Sequence, residues 1–174
     1  MKKIEKYPYR LLHPKLVSIV TTLDENNIPN ACTIAWSMPV SVNPPLIAIA
    51  LNKKHKTTSN IEKTGEFIIN IPDFSKMEII EKCGEVSGWK TNKFLEFHIE
   101  SCKAEKVKVP RICNCPGYIE CKLYAKYEGG DHYIFVGEII HAEAGEKLFD
   151  GIWGENAGIV FHFGGDVYGK IKRE

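Results

Sequence analysis

Short apolar runs separated by turn residues dominate the chain, and their spacing is mostly that of strands. Leu16 to Leu23 (LVSIVTTL) is rich in β-branched residues and ends in the turn cluster DENNIP. Ala31 to Trp36 and Val40 to Val42 read as short strands interrupted by Pro39. The fully apolar Leu46 to Leu51 opens behind Pro44-Pro45, which suits a strand start. Glu66 to Ile71 (EFIINI) is a further strand, stopped by Pro72. From Tyr118 to Tyr127 the pattern alternates as in an antiparallel strand: Tyr118, Glu120, Lys122 and Tyr124 lie out of phase with Ile119, Cys121, Leu123 and Ala125. Glu128-Gly129-Gly130-Asp131 is a hairpin loop, and His132 to Ala142 returns. Gly158 to Phe163 is a late strand, turned by Gly164-Gly165-Asp166.

Helical signals are few. A helix is predicted over Thr58 to Thr64, with Ser59 and Glu62 at capping-box spacing and Gly65 to end it. A second is predicted over Lys76 to Cys83, with Ser75 and Glu78 repeating the box and Gly84 as the stop. A weaker third spans Asn92 to Phe97. Many short strands with few helices predict a mainly β chain, a barrel decorated with short helices, as one domain over residues 1–174. Strands do not alternate with long helices, which excludes a doubly wound parallel sheet.

Composition narrows the function classes. A formal net charge of +1 lacks the basic excess of a nucleic-acid binder. No apolar run reaches the roughly 18 residues of a membrane span, and MKKIEKYPYRLL has no apolar segment of a signal peptide. The expectation is a cytoplasmic protein with no membrane or nucleic-acid partner. Its six cysteines are irregularly spaced and expected to be mostly thiols, and Cys113-Asn114-Cys115, lacking a second pair, predicts no metal site.

Candidate chemistry concentrates in residues 51–67, LNKKHKTTSNIEKTGEF, where a buried strand meets a helix start. The free N–H groups and positive dipole end of a helix attract anions, phosphate above all. Thr57, Thr58 and Ser59 add hydroxyls, and Lys53, Lys54, His55 and Lys56 add charge. In an extended segment Lys53, His55 and Thr57 share one face and Lys54, Lys56 and Thr58 the other. A phosphate site and a solvated loop both fit. Asn30 to Met38 is a second candidate, because small and amide residues let a planar ligand approach and Trp36 offers a flat wall; an ordinary core strand fits as well. His132 stands at a hairpin mouth, as a catalytic or a surface residue. No GxGxxG, P-loop or compelling Ser/His/Asp order occurs.

Taken together, these motifs resemble the flavin reductase-like family, which includes flavoredoxin and an archaeal ferric reductase. Asn30-x-x-Thr33-Ile34-Ala35-Trp36, Val40-Ser41-x-Asn43-Pro44-Pro45-Leu46-Ile47, His55-x-Thr57 with Asn60-Ile61, and Gly65 to Asn70 carry the likeness. Ser87-Gly88, Lys93-Phe94, Val109 to Ile112, His132-x-Ile134-x-x-Gly137-Glu138-Ile139, and Gly164-Gly165 with Tyr168 extend it over nearly the whole chain. The resemblance implies an FMN-binding split β-barrel, antiparallel with Greek-key connections, and usually a homodimer with flavin near the subunit interface. It implies that Asn30, Thr33, Ile34, Ala35, Trp36 and Ser37 run along the flavin ring and ribityl chain. Asn52, Lys53, His55, Thr57 and Thr58 would hold the phosphate. His132 would sit on the nicotinamide or acceptor side as the catalytic residue. NAD(P)H is the implied donor, and the acceptor is a ferric chelate, a flavin or a protein. The tetrapeptide Thr33-Ile34-Ala35-Trp36 is closer to flavoredoxin-like members than to the reductases of two-component monooxygenases. An electron carrier without its own nicotinamide activity is therefore the alternative.

Overall fold

The computed structural model describes residues 1–172. Its strands, in chain order, are β1 (Lys15–Leu16), β2 (Ser18–Leu23), β3 (Pro29–Ile34), β4 (Ser37–Ser41) and β5 (Leu46–Asn52). Helix α1 (Lys56–Thr64), strand β6 (Glu66–Ile71), helix α2 (Met77–Glu85) and the single turn α3 (Lys93–Glu96) follow. Then come β7 (Ser101–Cys102), β8 (Arg111–Ile112), the long hairpin β9 (Gly117–Gly129) and β10 (His132–Ala144), and finally β11 (Phe161–Gly164) and β12 (Val167–Gly169). Seven strands form one antiparallel sheet in the order β3-β2-β6-β9-β10-β5-β4. The chain passes from β3 to β4 through Ala35 and Trp36, and Ala50 N–H donates to the Trp36 carbonyl. Two small sheets, β1-β11-β12 and β7-β8, flank the main one.

The period-2 pattern divides the sheet into two lined faces. Val20, Cys32, Ile34, Ile47, Ile49, Leu51, Phe67, Ile69, Cys121 and Phe135 form the inner core, with Ile61 of α1 packed among them. The opposite face of β2 and β3 contributes Ile19 and Ala31 to a second core with Ile80 and Cys83 of α2 and Phe94 of α3. Strand β2 is therefore covered on both sides, which is why its sequence is nearly all apolar or β-branched. Gly137 makes room for the inner core: a Cβ there would lie 2.5 Å from Phe67 Cζ, and β10 shifts register at this point.

The predicted strands are found, with local differences. Pro39 does not interrupt a strand but lies within β4, tolerated because β4 is an edge. Helix α1 starts at Lys56, so the Ser59–Glu62 capping box does not form; Gly65 ends the helix with φ 70°, a left-handed conformation that suits glycine. Helix α2 runs past Gly84, which packs against β3, with Thr33 Cβ 3.7 Å from where a Cβ would stand. Asp73 accepts the Ser75 N–H ahead of α2, in place of the expected box. Glu120 is fully buried rather than on a wet face, because its carboxylate accepts the N–H groups of Glu105, Lys106 and Val107. Cys102 of β7 and Cys113, just after β8, form a disulfide, so two of the six cysteines are paired and four are thiols.

Candidate functional site

Three elements converge where β5 ends. His132, the first residue of β10, stands opposite Asn52, the last of β5. Ala48, Ala50 and Asn52 share the face turned away from the inner core, and Ile134 stands opposite Ala50 on the neighbouring strand. Trp36 folds over this face and stacks on His132, with ring centroids 4.9 Å apart and planes 32° apart. Tyr9 meets Trp36 edge-on at 5.4 Å. Asp131 Oδ1 lies 2.8 Å from His132 Nδ1 and fixes the ring. Beside the stack opens a cavity of about 300 Å³, walled by Tyr9, Leu12, Trp36, Met38, Ala50 and Ile134, with Ser37 at its edge. It is apolar and suits a flat ring.

The other end of the site is polar. Asn52 turns the chain: its side chain accepts the Lys54 N–H, and its carbonyl accepts both the His55 N–H and the Thr58 hydroxyl. His55 is the N-cap of α1 but makes no side-chain cap bond, so its side chain leaves the first N–H groups of this helix open among the described residues. Lys53 pairs with Glu128 at 3.0 Å, and Lys56 with Asp24 at 3.1 Å in a half-buried pair. Of the three lysines, only Lys54 is exposed and without an ion pair among the described residues; His55 beside it is exposed too. Extended-chain alternation does not hold here, since the helix has begun by Lys56: Thr57 and Thr58 are both buried.

Strand β3 links the two ends, and its side chains part to opposite faces. Asn30 donates to Thr57 Oγ1 at 2.9 Å, and Cys32 Sγ lies 3.7 Å from His55 Nδ1. Ile34 lies in the inner core. Thr33 instead donates to the Ile80 carbonyl of α2 and, with Ala35, lines a second cavity of about 280 Å³ that includes Glu81, Glu85, His162 and Tyr168. The structure thus gathers Asn30, Asn52, His55, Thr57 and Thr58 around the start of α1, and Trp36, Ser37 and His132 around the apolar cavity. Thr33 and Ala35 look the other way.

Two further residues at this end were not among the predicted site residues. Lys93 is 3 % exposed and donates to the Ala31 and Cys83 carbonyls at 2.8 Å each. Burial pushes its ammonium below the ordinary lysine value. Its charge and that of His132 add to burial in holding His55 below the ordinary imidazole value. Nothing in the local sequence marks a buried lysine except its place beside Phe94. Cys32 is also buried, and burial pushes its thiol up. The segment after α2 closes over this end: Trp89 Nε1 donates to the Lys54 carbonyl, and a Cβ on Gly88 would lie 2.1 Å from Asn30 Oδ1.

Comparison with known proteins settles the lineage. Residues 10–165 match the model of the flavin reductase like domain. The chain belongs to the flavin reductase-like family. An uncharacterised protein of Archaeoglobus fulgidus is 36% identical over 134 residues, covering 77% of this chain and 76% of its own. The flavoredoxin of Methanosarcina acetivorans superimposes with a TM-score of 0.88 at 26% identity, over 100% of this chain and 94% of that one. The flavoredoxin of Desulfovibrio vulgaris gives 0.86 at 27%, over 100% and 97%. As a member of the flavin reductase-like family the chain is a flavin-related oxidoreductase on a split-barrel fold. No helix among the described residues is long and apolar enough to cross a membrane, and no group of three metal-ligating side chains is present among them.

Proposed function

We propose that the chain binds FMN between the start of α1 and the Trp36–His132 pair, and passes electrons from NAD(P)H to a second acceptor. The observation that carries this reading is adjacency. His132 pairs with Asn52, Asn52 holds the first turn of α1 through Thr58, and Trp36 stacks on His132. A phosphate-binding end and a ring-binding end are thus joined by one strand pair in a chain of this family. The residues fit the cofactor: the N-cap of α1 makes no side-chain cap bond, and the cavity beside Trp36 is apolar.

FMN, when bound, supplies the hydride and electron chemistry. The protein's own residues bind and orient. The N–H groups and dipole of α1, with His55 beside them, hold the phosphate. Asn52 and Thr58 fix the turn that presents them. Trp36 and Ser37 border the ring, and Asn30 and Thr57 brace β3 against α1. His132, aligned by Asp131, faces the donor or acceptor and steadies it by hydrogen bonding. No protein nucleophile is required.

A second reading, an electron carrier reduced by a partner protein, is favoured by the likeness to the two flavoredoxins. We also take the protein to be a cytoplasmic homodimer of single-domain chains. Met38, Val40 and Val42, on and just after β4, and Ile134, on β10, are exposed near the proposed ring site and suit a second copy. Purification followed by visible spectroscopy and anaerobic mixing with NADH and NADPH tests all of this. A yellow protein bleached rapidly by either nicotinamide is expected. A yellow protein that neither bleaches supports the carrier, and a colourless one that takes up no added FMN overturns both readings. Light scattering reports the mass.

A further inference from the structure

We propose that Tyr9 is a positioning residue for Trp36: it holds the indole against His132, and the N-terminal segment that carries it forms a wall of the ring cavity. Four aromatic rings follow one another here. Centroid to centroid, Tyr7 lies 6.0 Å from Tyr9, Tyr9 5.4 Å from Trp36, and Trp36 4.9 Å from His132. The row begins at a short turn, Pro8–Leu12, and ends on the histidine that faces the donor or acceptor in the proposed reaction. Trp36 needs such support. It lies in the link between β3 and β4, where its carbonyl accepts the Ala50 N–H, and it is 37% exposed. Two ring contacts define where its indole lies. One is with His132, which is anchored by the first pairing of β10 and by Asp131. The other is with Tyr9.

The segment around Tyr9 is held in place, though not by burial: none of Pro8–Leu12 is buried. The Arg10 guanidinium lies 4.4 Å from the centre of the Tyr7 ring, and the Arg10 N–H donates to the Tyr7 carbonyl at 2.9 Å. The Arg10 side chain runs along the turn between β11 and β12, where a Cβ on Gly164 would meet its Cδ at 3.4 Å. His13 meets the His162 ring of β11 edge-on at 5.0 Å, and Lys15 then pairs with His162 in the sheet. Tyr9 and Leu12, on this tethered turn, wall the cavity together with Met38, Ala50 and Ile134. An edge-on ring pair is favourable beyond the area it covers, because the positive rim of one ring meets the negative face of the other. Tyr9 therefore restricts the indole. The contact is one of rings, so phenylalanine can replace Tyr9 and alanine cannot. This deepens the FMN reading, on which only the consequence for ring binding rests.

The test reads the indole through its other neighbour. In the flavin-free protein at about pH 8.5, above the ordinary imidazole range, the ring current of Trp36 displaces the His132 Cε1–H resonance, which His132→Gln assigns. Trp36→Ala removes that displacement. Tyr9→Ala is expected to remove at least half of it, and Tyr9→Phe to keep it. Tyr9 is paired with Trp36 and Trp36 with His132, so this resonance follows the indole. A Tyr9→Ala resonance equal to the parent's overturns the proposal. With FMN added, Tyr9→Ala binds about threefold to tenfold more weakly, the scale of one edge-on aromatic pair, and Tyr9→Phe binds within about twofold of the parent. Equal affinity in Tyr9→Ala and the parent overturns the role in ring binding. A parent that takes up no FMN would sink the cofactor reading and leave the His132 result standing. Light scattering is expected to give Tyr9→Ala the parent's mass; a changed mass would assign Tyr9 to a contact between copies and overturn the proposal.

Discussion

The two ends of the proposed site are built on opposite principles. At the start of α1 the polar groups bond to each other: Asn30 to Thr57, Thr58 to the Asn52 carbonyl, Lys93 to two carbonyls. At the Trp36 end the walls are apolar, partly exposed, and held by ring contacts with His132 and Tyr9. Buried polar networks cost much when one member is lost, whereas exposed aromatic contacts cost little. The first end belongs to the fold as much as to the ligand, and the second is free to serve the ligand alone. Stability and flavin affinity should therefore separate along the site.

Lys93→Ala tests the polar end most severely. It leaves the Ala31 and Cys83 carbonyls unpaired and opens a void between β3 and α2, so a loss of about 3 kcal/mol is expected in urea unfolding, with weaker FMN binding. An unchanged urea midpoint would show that β3 is held without this lysine. Thr57→Val comes next: it removes the acceptor of Asn30, costs about 1–2 kcal/mol, and lowers FMN affinity in titrations followed by flavin fluorescence. Trp36→Ala should reverse the balance. Its stability change stays within about 1 kcal/mol because the ring is 37% exposed, while FMN affinity or the bound flavin's spectrum shifts clearly. Equal effects on both properties would erase the distinction between the ends.

The smaller effects concern charge. His55 titrates lower in the folded chain than in the unfolded one. As pH falls, the unfolded chain takes the proton first, so this contribution is present above the ordinary imidazole range and lost on descent through the lowered folded value. His55→Gln should flatten that part of the stability–pH curve, measured as melting temperature from pH 7.5 downward; an unaltered slope would assign it to another group. Lys54→Ala is expected to do least, under about 0.5 kcal/mol in stability, with little change in FMN titration.

Much of this was legible in the sequence, for identifiable reasons. The strand runs kept their period because each has at least one face against a core, and Gly65 marked a helix end because its φ is 70°. Trp36, His132 and the 52–58 turn could be singled out because their residue types are unusual at those places. The direction of each β3 side chain was harder. Thr33 and Ala35 face α2 while Asn30 and Cys32 face α1, and only the packing of two helices on one strand decides that. The burial of Lys93 and Glu120 and the pairing of Cys102 with Cys113 were invisible, because each depends on backbone groups or a thiol brought in from another segment.

Strand β4 has a further consequence for assembly. It lies at the margin of the seven-stranded sheet, carries Pro39 at its middle, and shifts register before Ser41. Proline removes a donor from the free ladder and the irregularity twists it. A strand from a second copy cannot be added there in regular register, so the sheet does not grow sideways into a continuous ribbon. The second copy proposed above would then meet this side of the molecule face-on, by exposed side chains such as Met38 and Val40, rather than by strand addition.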